Sequence, residues 1–256
     1  MATSRSERNQ PLLPFVALVP STAMTRANEF GQPIGESIGS FAPPSPPPVV
    51  DLTGRTTTLI VLDASEHSDG LFEAYGVGGD RLWTYLQWGP FATVADLRSQ
   101  LTQLSNQPDW LPYVVTVGGR PEGLACFLRI DPPKASIEIG GITFGPRLQR
   151  TAASTEALSL MIGRAFDLGY RRVEWKCDDL NAPSKRAAQR LGFQYEGTFR
   201  KALHYKGRNR DTAWFSIVDD HWPSIRREHE RWLAPTNFDA EGRQLSALTV
   251  GTGRGG

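Results

Sequence analysis

The stretch STEALSLMIGRAFDLGY (154–170) constrains the fold more than any other part of the sequence. Leu158, Met161, Ile162, Ala165 and Phe166 recur at the spacing of a buried helical stripe, Ser154 or Thr155 is the expected N-cap, and Gly169 supplies the stop. Before it, across a short loop, ASIEIGGITF (135–144) has strand character. Immediately after it, Val173 and Trp175 alternate with Arg172, Glu174 and Lys176, the period of a half-buried strand. A helix set between two strands lays its apolar stripe on a sheet, which places the chain in the α/β (α+β) class.

The remaining segments agree. TTTLIVLD (56–63) reads as a strand, SEHSDGLFEAYG (65–76) as a helix carrying Leu71, Phe72 and Tyr75, and 80–104 as two helical pieces around QWGPF. PYVVTV and GLACFLRI form a hairpin joined by GGRPEG. FQYEGTFRKALHYKG and NRDTAWFSIV are two long strands with a tight basic connection, and 219–233 is a terminal helix. The order predicts a single domain with a mixed sheet over 56–233. Residues 1–27 are expected as a disordered extension, the Pro- and Gly-rich 28–55 as an extended arm, and 234–256 as a tail with a disordered Gly-rich end.

Composition excludes several classes of function. A hydrophobic content of 39% is enough to fill a core. A net charge of +1, with no regular array of stacking aromatics, argues against nucleic acid as a partner. No apolar run reaches the ~18 residues of a membrane span. PLLPFVALVP (11–20) is short, bounded by prolines and lacks a basic flank, so no secretory signal is expected. Cys126 and Cys177 fall inside strands, which fits a reducing, cytoplasmic setting rather than a disulfide framework. Organelle targeting by Arg5, Arg8 and Arg26 among serines is the alternative. His67, His204, His221 and His229 lack metal-ligand spacing with the cysteines, so no metal site is expected. GESIG (35–39) matches a hydrolase elbow, but a Pro-rich coil follows where that motif needs a helix.

Two loops carry candidate chemistry. LQRTAASTEA (148–157) places small residues between a strand and the best helix, where backbone N–H groups and the helix dipole favour a pyrophosphate. DDLNAPSKRAAQR (178–190) places Asn181 and Ser184 three apart at another strand-to-helix mouth. Capping explains the asparagine but not both residues.

These stretches, with NEFGQPIG (28–35) and KGRNRDTAWFSI (206–217), resemble the GNAT N-acetyltransferase superfamily, in the branch of the ribosomal-protein N-terminal acetyltransferases. The resemblance implies a mixed, mostly antiparallel sheet of about seven strands with helices on both faces. It implies acetyl-CoA as cofactor and a nitrogen nucleophile as acceptor, either a small-molecule amine or a peptide N-terminus. Cofactor contacts are then expected from Ile142, Thr143 and Phe144, from Gln149, Arg150, Thr151, Ala152, Ala153, Ser154 and Thr155, and from Asn181, Ser184 and Arg190. Ala152 and Ser154 depart from the family pattern, which has glycine and then glycine or alanine there.

Glu138 is the expected base, Ser184 and Tyr205 the expected donors to the departing thiolate, and Asp211 a second carboxylate for the amine. Glu138, Gly140, Arg200, His204 and Asp211 are expected to border the acceptor. Gly141 and Thr143 stand where relatives carry bulkier residues, which implies an altered acceptor pocket. No activated nucleophile is evident, so direct attack in a ternary complex is expected from a monomer or homodimer. The competing reading is a degenerate module that binds CoA, or nothing, without turnover.

Overall fold

The computed structural model describes residues 26–250, and the chain divides into two units, 1–42 and 43–256. In the first, Arg26–Ala27 (β1) pairs antiparallel with Pro33–Ile34 (β2). Asn28 Oδ1 accepts the N–H groups of Phe30 and Gln32 at 3.0 and 2.9 Å, and Gly31 turns the chain with a φ of +74°. NEFGQPIG is therefore a turn organised by an asparagine side chain. The expected disordered extension lies almost wholly outside the described residues, as does the last part of the Gly-rich end.

The second unit is built on an eight-stranded sheet in the order β3-β4-β5-β6-β7-β8-β10-β9. Its elements, in chain order, are Leu52–Thr53 (β3), Thr58–Val61 (β4), Ala64–Gly76 (α1), Val94–Ser105 (α2), Leu111–Val117 (β5) and Arg120–Asp131 (β6). Ser136–Phe144 (β7), Ala152–Asp167 (α3), Arg172–Asp178 (β8) and Ala182–Arg190 (α4) follow, then Gln194–Tyr205 (β9), Arg208–Val218 (β10) and Trp222–Leu233 (α5). All pairings are antiparallel except β7 with β8.

Strand alternation sorts the side chains into two cores. Tyr113, Val115, Ala125, Phe127, Val173 and Trp175 face the layer of α3, α4 and α5. Val114, Leu124, Cys126 and Leu128 face α1 and α2. The two hairpin connections are tight: Gly118 and Gly119 join β5 to β6, and Lys206 and Gly207 join β9 to β10, all four with positive φ. Two-residue turns of that hand match the twist of the strands they join.

Three sequence expectations are corrected. Residues 43–55 are not part of a separate arm: Leu52 and Thr53 pair with β4, and Glu156 on α3 accepts the N–H groups of Arg55 and Thr56 at 2.9 and 2.6 Å. Helix α3 starts earlier than expected. Its cap is Thr151, whose Oγ1 accepts Ser154 N–H at 3.1 Å, because Arg150 at a φ of +64° turns the chain into the helix there. Residues 234–250 fold back on α5: Asn237 is buried, its Oδ1 accepts Ser246 N–H at 3.0 Å, and Glu228 accepts Thr249 N–H at 2.8 Å.

One irregularity in β7 matters for function. Leu124 pairs with Thr143 and Cys126 with Gly140, so Gly141 and Ile142 together oppose Ala125 in a bulge. Gly141 sits at a φ of +61°, and a Cβ there would lie 3.0 Å from Cys126 Sγ. Gly141→Ala should cost about 1–3 kcal/mol of stability, read as a lower urea midpoint at unchanged slope.

Candidate active site

The parallel ladder between β7 and β8 is short. It joins Ser136 to Arg172, Ile137 to Val173 and Glu138 to Glu174, and stops. Both strands continue, β7 to Phe144 and β8 to Asp178, without further pairing to each other. The sheet therefore opens between them, and a cleft of about 1810 Å³ occupies the opening. Its walls come from both helical layers, with Arg81 and Tyr85 beyond α1 at one end and Trp232 of α5 at the other.

A cluster of charges closes the bottom of the opening. Lys176 Nζ lies 2.8 Å from Glu138 Oε2, 2.9 Å from Glu174 Oε2 and 3.7 Å from the centroid of the Trp214 ring. Arg129 Nε stands 3.5 Å from the same oxygen of Glu138. Burial pushes the Glu138 carboxyl up from its ordinary value, against the opposing pull of Lys176 and Arg129. Burial acts on Glu174 in the same sense, but Arg172 and Lys176 outweigh it and hold that carboxyl low. Of the two carboxylates, Glu138 lines the cleft and Glu174 does not.

The turn from β7 into α3 forms one wall. Gln149 Nε2 donates to Phe144 O at 2.7 Å, which ties the loop to the strand. Arg150 in the left-handed conformation and Thr151 in the extended one aim the start of α3 at the cleft. The hydroxyl of Thr151 caps Ser154 N–H, while the N–H groups of Ala152 and Ala153 have no acceptor among the described residues. Free N–H groups at a helix N-terminus attract an anion. Arg150, Thr151, Ala152, Ser154 and Thr155 line the cleft here, as do Ile142, Phe144 and Gln149. Thr143 and Ala153 do not: Thr143 points into the interior, and the Ala153 side chain packs in the core under α3.

The opposite wall is the end of β8 with α4. Asn181 is the helix cap, its Oδ1 accepting Ser184 N–H at 3.2 Å, and its side-chain nitrogen makes no hydrogen bond among the described residues. Ser184 Oγ accepts the indole N–H of Trp175 at 3.0 Å. Ser184 also lies against Cys177, whose thiol is pushed up by burial. Arg190 donates to Thr155 Oγ1 at 3.0 Å, bringing the end of α4 to the start of α3.

Besides Thr143 and Ala153, four expected catalytic or acceptor-side residues are not at the cleft. Tyr205 is buried, and its hydroxyl donates to Asp178 Oδ2 at 2.7 Å. Burial first, and then the Asp178 carboxylate, push the phenol up to about 12, so its proton is committed to Asp178 rather than free for a leaving group. Asp211 is occupied by Lys201 N–H at 2.7 Å, and neither it nor the exposed Arg200 and His204 reaches the lining. Strand alternation and the bulge between Arg210 and Thr212 turn these side chains away from the opening.

Sequence reasoning missed Lys176, whose alternation with apolar residues reads as solvent-facing, and Asp178, which reads as a turn residue. It also passed over Arg210, placed among a run of solvated hairpin charges. All three line the cleft.

Residues 59–194 match the model of the acetyltransferase (GNAT) domain family. A crystal structure of a GCN5-related N-acetyltransferase from Brucella melitensis is 43% identical, covers 81% of this chain and 96% of its own, and superposes with a TM-score of 0.78. A probable acetyltransferase of the GNAT family from Chromobacterium violaceum is 37% identical, with 75% and 98% covered and a TM-score of 0.72. The microcin C7 self immunity acetyltransferase MccE, solved with acetyl-CoA and AMP, shares the fold at 23% identity, with 64% and 93% covered and a TM-score of 0.59. The chain belongs to the GNAT acetyltransferases and is an acyltransferase.

The Tyr205 pair carries a clean test. Its stabilisation is complete at neutral pH, below the ordinary phenol value near 10, and is lost only as pH rises through about 12. Tyr205→Phe should cost about 1–3 kcal/mol in a neutral denaturant melt by leaving Asp178 without its partner.

Proposed function

We propose that the protein moves an acetyl group from acetyl-CoA to the primary amine of a small molecule, by direct attack within a ternary complex. The observation that carries this reading is the opening of the sheet past Glu138 and Glu174, set directly beside the unpaired N–H groups at the start of α3. An extended chain ending in phosphates fits such a slot, with its phosphates on Arg150, Ala152 and Ala153 backbone. When bound, acetyl-CoA supplies an activated acyl group and a thiolate that leaves.

The residues present then divide the work. Arg150 with the N–H groups of Ala152 and Ala153 would hold the pyrophosphate, aided by the helix dipole, and the Ala152 methyl is small enough to let an anion approach the backbone. Asn181 offers its free side-chain amide to the amides of the pantetheine arm. The bulged segment at Gly141 and Ile142 lines the opening, and a backbone N–H there would stabilise negative charge on an acyl oxygen; losing one preorganised donor of this kind costs about 3 kcal/mol in comparable sites. Ser184, fixed as an acceptor by Trp175, keeps its own proton available for the departing sulfur. Glu138, with its raised carboxyl pKa, takes the proton of the incoming ammonium directly or through water. Alkyl ammonium groups near pKa ~10 are mostly charged at pH 7, so a base is needed.

Two measurements check this. Acetyl-CoA should raise the stability of the wild type by about 2.7 kcal/mol at 100 times Kd, and Ala152→Asp should abolish the gain, because a carboxylate at the helix start repels the pyrophosphate. A melt indifferent to millimolar acetyl-CoA would favour the degenerate module. In a thiol-release screen over amines, amino acids and N-terminal peptides, turnover should rise with pH as Glu138, whose carboxyl burial pushes up, loses its proton. Glu138→Gln should lose that limb and roughly 100-fold or more in kcat. An unchanged profile removes Glu138 from the mechanism, and selective turnover of peptides overturns the small-amine reading.

A further inference from the structure

Arg210 is out of place for a hairpin cation. It is only 9% exposed, its Nε is buried with no hydrogen-bond partner among the described residues, and it lines the cleft. Buried guanidinium groups normally find a carboxylate, because removing such a charge from water without one is costly. Each carboxylate nearby is engaged elsewhere. Asp178 accepts from Leu180 N–H at 2.9 Å and Tyr205 O–H at 2.7 Å, Asp179 pairs with Lys185 at 3.1 Å, and Asp211 takes Lys201 N–H at 2.7 Å.

The neighbouring cations donate to backbone carbonyls rather than to carboxylates. Lys206 Nζ donates to the carbonyls of Trp83 and Trp88 at 2.7 and 3.0 Å, and Arg208 donates to Thr84 O at 2.6 Å. These contacts pin the β9–β10 hairpin to the segment after α1 with dipoles rather than with opposite charge. Among the described residues, none of Arg210, Lys206 and Arg208 has a carboxylate oxygen within ion-pair distance, so the Arg210 guanidinium faces the cleft without a direct counter-ion. Arg210 is held in place by the Tyr205 ring, 6.0 Å from its Cζ, which leaves the guanidinium preorganised.

We propose that Arg210 is the binding group for an oxyanion on the acceptor, so that the substrate is an amine bearing a carboxylate or a phosphate. This rests on the acetyltransferase reading above and narrows its acceptor. A planar guanidinium takes either oxyanion through two parallel N–H bonds, and a buried site strengthens them. The oxyanion end seats at Arg210 and the amine end faces the opening where Glu138 stands.

The test uses matched amine pairs that differ only in the anionic group: β-alanine against propylamine for a carboxylate, and O-phosphoethanolamine against ethanolamine for a phosphate. Thiol release from acetyl-CoA gives kcat/KM for each. The wild type should favour one anionic member over its neutral partner by about 30-fold or more, the loss expected when one side of a buried charge pair is removed. Arg210→Met should collapse that ratio, chiefly through KM, and Arg210→Lys should restore part of it. Neutral members turned over as well as anionic ones, or a ratio that survives Arg210→Met, overturns the assignment while leaving the acetyltransferase standing.

If no amine is turned over, the reading of function fails and a second measurement decides Arg210 separately. The buried Nε–H resonance of Arg210, assigned by its absence in Arg210→Lys, should shift on titration with inorganic phosphate. No shift overturns the oxyanion site.

Discussion

The whole site depends on the point where β7 and β8 stop pairing. A parallel ladder that continued past Glu138 and Glu174 would close the sheet and remove the cleft. Two local features mark that point. The bulge at Gly141 and Ile142 shifts the β6–β7 register, and a side chain at Gly141 would be strained by its positive φ and by a 3.0 Å approach to Cys126 Sγ. On the β8 side, Lys176 sits between Glu138 and Glu174 and gives the last rung its counter-charge. Two carboxylates on facing rungs would repel one another without it.

That charge cluster also sets the chemistry available at the base of the cleft. Glu174, held low by Arg172 and Lys176, is committed to structure. Glu138 shares the same lysine but is more deeply buried, and its carboxyl is pushed up. Two glutamates in contact with one cation thus have different proton affinities, which separates a structural carboxylate from one suited to exchanging protons. The walls follow from where α3 and α4 begin. Thr151 and Asn181 each cap a helix with a side-chain oxygen, and both helix starts point at the opening.

Much of this was legible from local patterns. The stripe on α3, the alternation in β8, the Asn181 cap and the small residues before α3 are all written within a few residues of one another. The resemblance pointed to the two loops at the starts of α3 and α4, and most of the residues named there line the cleft. The hairpin was less legible. Arg200, His204, Tyr205, Asp211 and Arg210 lie close together in a charged segment, and nothing local says which of them turns inward.

By itself the sequence determined the α/β class, the order of elements and the two helix starts that form the walls, because helix stripes, caps and strand alternation are short-range properties. Only the tertiary structure decided which polar side chains belong to the site. The register of β10 against β9, with its shift between Arg210 and Thr212, buries Arg210 and faces Asp211 elsewhere. Lys176 becomes the partner of Glu138 across a distance of 38 residues. A slip of one residue in a strand moves a side chain to the other face, and register is fixed by pairing between distant segments.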